Sequence, residues 1–296
     1  MAMWSRISVT AAVLAAAATV AGCKDAPPPK VEAPRPLVVT SFYPLYDFAR
    51  QVAGDRAEVI SLVPAGVEPH DWEPSPRDVA RVEKAAVFVY NGAGFDAGVE
   101  RLARGAGKAV VVEATAGLAL IDRDPHVWLD PTLAKAQAEL IRAALAKADP
   151  AGANDYASRA TAYGARLTKL DETFSSGLAT CERRELVVSH AAFGYLARRY
   201  RLTQVPVMGL APQAEPSPAE LARVVRTVKR LKATVIFFET LVSPRLAETL
   251  AAEVGAKTMV LNPIEGLTSE EEKAGKDYMA VMDDNLRNIR TALGCQ

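Results

Sequence analysis

The sequence predicts an α/β protein: two lobes of parallel-sheet βα units joined by a long rigid helix. Three observations predict it. Short apolar runs alternate with helix-period segments through both halves. Runs such as VVV and VIFF are apolar on both faces, as buried parallel strands require. Residues 151–180 carry no strand signal, while Tyr156, Ala160, Tyr163, Leu167, Leu170 and Phe174 recur at helical spacing.

The elements follow in order. LVVTS reads as a strand and YPLYDFARQVAG as a helix ending at Gly54. AEVISLV is a second strand. PSPRDVARVEKA opens on proline and serine and reads as a helix. AAVFVYN and AVVVEA are the third and fourth strands, and the 20 residues from Pro131 to Pro150 make a strong amphipathic helix. After the joining helix the theme repeats. ELVVSH, TQVPVMGL, ATVIFFET and KTMVLN read as strands. AAFGYLARRY, SPAELARVVRTVKRLK, SPRLAETLAAEVG and the closing KDYMAVMDDNLRNIRTALG read as helices.

The N-terminus stands outside this pattern. Residues 1–22 hold Arg6 and an apolar run too short for a comfortable membrane span, which suits a secretory leader. TVAGC resembles the lipobox of bacterial lipoproteins, which implies cleavage before Cys23 and a lipid on its thiol. Residues 23–36, rich in proline, read as an extended tether. The expected segments are then an N-terminal lobe at 37–149, the linker helix at 150–179 and a C-terminal lobe at 180–296. In an exported chain Cys181 and Cys295 are disulfide candidates; free thiols or soft metal ligands are the alternatives. Lysine plus arginine balance aspartate plus glutamate at 35 each, so no nucleic-acid partner is implied.

The chain has three histidines, His70, His126 and His190. His190 follows a strand directly, and His70 and His126 lie in loops after strands. Ligands in open α/β sheets gather beyond the carboxyl ends of strands. Glu239 and Asn262 end two later strands. Imidazole is the commonest protein ligand for zinc. Two lobes facing each other would bring His70 and His126 from one wall and His190 from the other.

The segments SFYPLYDFARQVAGD, GVEPHDWEPSP, NGAGFD, HVWLDP, VSHAAFGYLARRY, EPSP, IFFET and GKDYMAVMDDNL resemble the cluster-A metal-binding proteins of bacterial ABC transporters, the uptake receptors for zinc and manganese. The resemblance runs in order from about Leu37 to the C-terminus. It implies a metal site in the interlobe cleft with His70, His126 and His190 as ligands. Three nitrogen donors favour zinc; manganese or iron is the alternative cargo. The family commonly has an aspartate before a proline after the late strand, where this chain has Asn262-Pro263. The fourth position is then Asn262, a water, or Glu239; Glu265, three residues on, is the weaker substitute. The auxiliary histidine-rich loop of many zinc members is absent.

The implied function is a lipid-anchored extracytoplasmic receptor, a monomer, that captures zinc and delivers it to an ABC permease. It is not an enzyme. The competing reading is an exported zinc hydrolase with Glu239 as general base, although neither HExxH nor GxSxG is present. A surface adhesin or a binder of metal chelates is a third. Among neighbouring residues, Asp130 is expected to cap the helix at Pro131. Trp72 and Trp128 are expected to pack the ligand loops, Glu68 to be exposed or to add charge at the mouth, and Glu215 to orient backbone.

Overall fold

Four short strands, β1 (Leu37–Thr40), β2 (Glu58–Ser61), β3 (Val87–Tyr90) and β4 (Val110–Glu113), pair in parallel in the order β2-β1-β3-β4. Val39 stands opposite Ile60 on one side and Phe88 on the other, and Phe88 opposite Val111. This computed structural model describes residues 1, 35–95, 97–211 and 216–296. The expected lipidation at Cys23, Glu215, and the leader and tether apart from Met1, Arg35 and Pro36 lie outside the described residues.

Local chemistry sets the element ends. Helix α1 (Tyr43–Ala53) stops at Gly54, whose φ of 56° is left-handed and where a Cβ would lie 2.3 Å from the Arg159 guanidinium carbon. Helix α2 (Pro76–Glu83) opens on a capping box in which Ser75 and Asp78 satisfy each other's backbone N–H. Helix α3 (Ala97–Arg104), not anticipated from the sequence, fills the crossover between β3 and β4. Helix α4 (Pro131–Ala148) is capped by Asp130, which accepts from Thr132 N–H at 2.9 Å, as expected.

Helix α5 (Ala153–Gly177) is a single run of 25 residues. It buries Tyr156, Tyr163, Leu167, Leu170 and Phe174, the residues whose spacing predicts it. It packs on α1 and α4, and on the closing helix α10 (Tyr278–Leu293).

The second half contains strands β5 (Glu185–Val188), β6 (Thr203–Pro206), β7 (Val235–Phe238) and β8 (Lys257–Val260). Its helices are α6 (Gly194–Arg199), α7 (Pro218–Leu231), α8 (Arg245–Val254), the short α9 (Ser269–Lys273) and α10. Here the strands form two parallel pairs, β5-β6 and β7-β8. No backbone ladder joins β5 to β7 among the described residues; the Ser189 hydroxyl, just past β5, donates to Phe237 C=O at 3.1 Å. Cys181 and Cys295 are bonded, S–S 2.06 Å, and clip the end of α10 to the segment before β5.

One apolar core runs through both halves, from Phe48 and Leu145 through Phe174 to Leu186 and Ile289. Residues 35–296 therefore form one compact unit. Among the described residues no helix is long and apolar enough to cross a membrane.

Candidate metal centre

The three histidines, remote in sequence, converge. His70 lies in a 3-10 turn, Pro69–Asp71, after β2; the Glu68 carboxylate caps this turn by accepting His70 N–H at 3.1 Å. Glu68 is thus half-buried and engaged, which corrects the expected exposed position and leaves the alternative of added charge at the mouth. Burial, then the nearby Glu265 charge, pushes its carboxyl up to about 8. His126 precedes a second 3-10 turn, Val127–Leu129, and His190 follows β5 directly.

Glu265 is the fourth member. Its Oε1 lies 3.0 Å from His126 Nε2, 3.3 Å from His70 Nε2 and 3.4 Å from His190 Nε2. The Nε2 atoms of His126 and His190 are 3.4 Å apart. All four residues offer a ligand atom within 4.8 Å of the others. A tetrahedron of zinc bonds near 2.0–2.1 Å has edges of about 3.3 Å, so four of the separations already match it. Glu265 Oε2 is buried and has no hydrogen-bond partner, a spare acceptor inside the cluster. The donor set and this orphaned oxygen fit a divalent cation.

Two more carboxylates set the ring orientations. His126 Nδ1 donates to Asp124 Oδ1 at 2.7 Å, and His190 Nδ1 to Glu239 Oε1 at 2.7 Å. Each bond leaves Nε2 directed at the centre. Burial works against a charged His190, but hydrogen bonds and charge from Glu239 and Glu265 outweigh it and push the imidazole up to about 10. His126 is likewise raised, its burial overcome by Asp124 and Glu265. Despite its own burial, Glu265 is held well below the usual carboxylate range by its hydrogen bonds to the histidines. The side chains of His126 and His190 are fully buried while that of His70 is 8% exposed, which makes His70 the accessible edge of the centre.

The residues expected in the fourth position stand elsewhere. Asn262 Oδ1 accepts Ile264 N–H at 2.7 Å and its Nδ2 donates to Thr240 at 3.0 Å, so the side chain is spent on a turn. That turn holds Ile264 at a left-handed φ of 62° and swings Glu265 inward. Glu239 is committed to His190 Nδ1, on the far side of the ring from the centre, which also removes it as a general base. Glu265 is the one charged residue in LNPIEGL, and that all of 261–267 is buried emerges only from the fold. Trp128 is buried with its ring 5.2 Å from that of His126, and Trp72 is half-buried against the apolar core. Asn91 donates to Pro125 C=O at 3.0 Å and so anchors the His126 loop.

Two α/β halves that each supply two donors to a buried, cation-sized centre define a metal-binding solute-binding protein. The family model of ZnuA, the periplasmic component A of the zinc-uptake complex, matches residues 38–292, and the chain belongs to that family. It is 40% identical over 277 residues to the high-affinity zinc uptake system protein ZnuA of Bacillus subtilis, covering 86% of this chain and 87% of that one. It is also 40% identical over 274 residues to the zinc-binding lipoprotein AdcA of Streptococcus pneumoniae, but spans only 55% of that protein. The crystal structure of the Zn(II)-bound ZnuA-like domain of that AdcA superposes with a TM-score of 0.79 at 41% identity, covering 88% of this chain and 99% of the domain. The laminin-binding protein Lmb of Streptococcus agalactiae, described as bifunctional with adhesin and metal transporting activity, gives 0.80 at 34% identity over 87% of this chain and 99% of its own. The family is one of zinc-uptake solute-binding components, transport proteins and not enzymes.

Proposed function

We propose that the chain captures zinc outside the cytoplasmic membrane through His70, His126, His190 and Glu265, and hands it to an ABC permease while tethered by a lipid on Cys23. The observation that carries the ligand set is the convergence of three imidazole nitrogens and one buried carboxylate oxygen within 4.8 Å. Three neutral imidazoles and one carboxylate suit zinc better than manganese, which prefers oxygen-rich sites. The anion also lowers the net charge of a loaded centre from +2 to +1, which a site of histidines and water would not do. No bond is made or broken in the cargo. Capture needs only deprotonated Nε2 atoms held in place, and release needs them displaced or protonated. Cys23 as the lipidation site follows from the TVAGC resemblance.

Equilibrium dialysis of the chain against zinc near neutral pH tests the reading. One zinc per chain is expected, with His190→Ala binding far more weakly. Absence of zinc binding by the wild type, or an undiminished His190→Ala, overturns it. Radiolabelled palmitate incorporation, abolished by Cys23→Ser, tests the anchor.

A further inference from the structure

The loop that carries His126 belongs to the N-terminal half but is fastened by the C-terminal half. Residues 121–124 form a turn in which Asp124 N–H donates to Ile121 C=O at 2.8 Å and Asp122 takes a left-handed φ of 47°. The hydroxyl of Tyr195, on α6, bridges the two ends of that turn. It accepts Ile121 N–H at 2.9 Å and donates to Asp124 C=O at 2.9 Å. Tyr195 is fully buried. Asp124 in turn accepts both the backbone N–H of His126, at 3.0 Å, and its Nδ1–H, at 2.7 Å. The other oxygen of Asp124 rests on Gly194, where a Cβ would come within 2.5 Å of it.

We propose that Tyr195 is a positioning residue for the zinc centre: its hydroxyl clips the 121–124 turn to α6, and through Asp124 fixes the ring of His126. The turn cannot hold Asp124 alone, because its single backbone bond leaves the outer N–H and C=O open, the C=O buried and the N–H partly buried against α6. A buried hydroxyl satisfies both at once. With the clip in place, Asp124 has one position, His126 keeps its proton on Nδ1, and Nε2 faces the centre. Gly194 serves the same end by leaving room for the carboxylate. The geometry therefore makes the aim of one half's ligand depend on a helix of the other half. This rests on the proposed ligand role of His126.

The test is Tyr195→Phe, which keeps the ring and removes the hydroxyl. Zinc affinity is expected to weaken about 10-fold, in line with the loss of a group that orients a ligand. The visible spectrum of the cobalt-loaded variant should change. In the metal-free protein the imidazole 1H–15N cross-peak of His126 Nδ1 should be lost to faster exchange. Tyr200→Phe, which removes a hydroxyl bonded to Asp171 at 3.1 Å, is the control and should leave all three readouts as they were. Gly194→Ala serves if Tyr195→Phe fails to fold; it should displace Asp124 and weaken zinc with Tyr195 intact. Wild-type affinity, cobalt spectrum and His126 cross-peak in both variants overturn the proposal. Failure of the wild type to bind zinc would instead sink the functional reading, while the metal-free cross-peak would still report on the clip.

Discussion

Trp128 donates its indole N–H to the carbonyl oxygen of Pro263 at 2.7 Å, across a sequence distance of 135 residues. Trp128 follows His126 by two residues and Pro263 precedes Glu265 by two, so one hydrogen bond ties the loop of a histidine to the loop of the carboxylate it meets. Two further bonds cross at the same place. Gly66 N–H donates to Leu267 C=O at 2.8 Å, and the Tyr278 hydroxyl donates to Trp128 C=O at 2.5 Å. The Glu265 segment follows a C-terminal strand yet is held by N-terminal loops.

Trp128→Phe follows from this relationship. It removes the N–H and leaves Pro263 C=O buried without its donor, which costs about 1–3 kcal/mol. The thermal midpoint should fall, and zinc affinity should fall with it because Glu265 loses its anchor. Differential scanning calorimetry with and without zinc checks this. An unchanged affinity beside a lowered midpoint would show that Glu265 is held by its own turn.

Glu265→Gln separates charge from shape. The amide keeps the volume but loses the anion that three Nε2 atoms face. Zinc binding should weaken by more than the roughly 10–100-fold that outer orienting groups cost. Without metal, the titration of His190 should move down, since Glu265 is one of the two carboxylates that hold it near 10. Calorimetric titration reads the first effect and NMR the second. Asn262→Asp, by contrast, should not create a ligand, because that side chain faces Ile264 N–H and Thr240.

Proton release accompanies capture. His190 is raised to about 10 in the metal-free fold, so it carries a proton at neutral pH that zinc must displace, and His126 is shifted in the same direction. Affinity should rise with pH through the neutral range and towards 10, and fall as pH drops. Calorimetry in buffers of different ionisation enthalpy should show net proton release at pH 7. The same shift has a stability consequence in the metal-free protein. A raised histidine contributes fully below the unfolded value of about 6.5 and loses that contribution as pH climbs through 10.

Asp47 predicts the same direction with pH, from a carboxyl instead of an imidazole. Burial first, then repulsion from Asp277, pushes its carboxyl from 3.8 up to about 6. Its charged form is therefore disfavoured in the fold. The penalty is fully present above pH 6 and is relieved as pH falls from about 6 towards 4. Asp47→Asn should stabilise the protein by about 1–3 kcal/mol at pH 8 and by almost nothing near pH 4. Thermal melts at the two values check it; equal gains at both would exclude the ionisation as the cause.

Much of the fold was legible along the chain, for reasons that are local. Strands β1 to β4 are apolar runs bounded by turn residues, and Asp130 before Pro131 announces a cap. Tyr156 to Phe174 lie at a spacing that only a helix can bury on one side. The helices α3 and α9 were missed; α9, SEEEK, carries no apolar residue from which a period could be read. The absent ladder between β5 and β7 was equally invisible, since strand pairing is set by packing between distant segments.

By itself, the sequence determined the α/β class, the long helix α5, and the position of the three histidines in or next to loops after strands. It determined these because periodicity and residue type are properties of neighbours. The tertiary structure alone decided the fourth group. Asn262 is spent on its own turn, Ile264 is held left-handed, and Trp128 from the other half donates to Pro263, so that Glu265 and not Glu239 or Asn262 faces the Nε2 atoms of the three histidines. Which carboxylate faces inward is settled by packing between residues more than a hundred positions apart, and no local pattern carries that information.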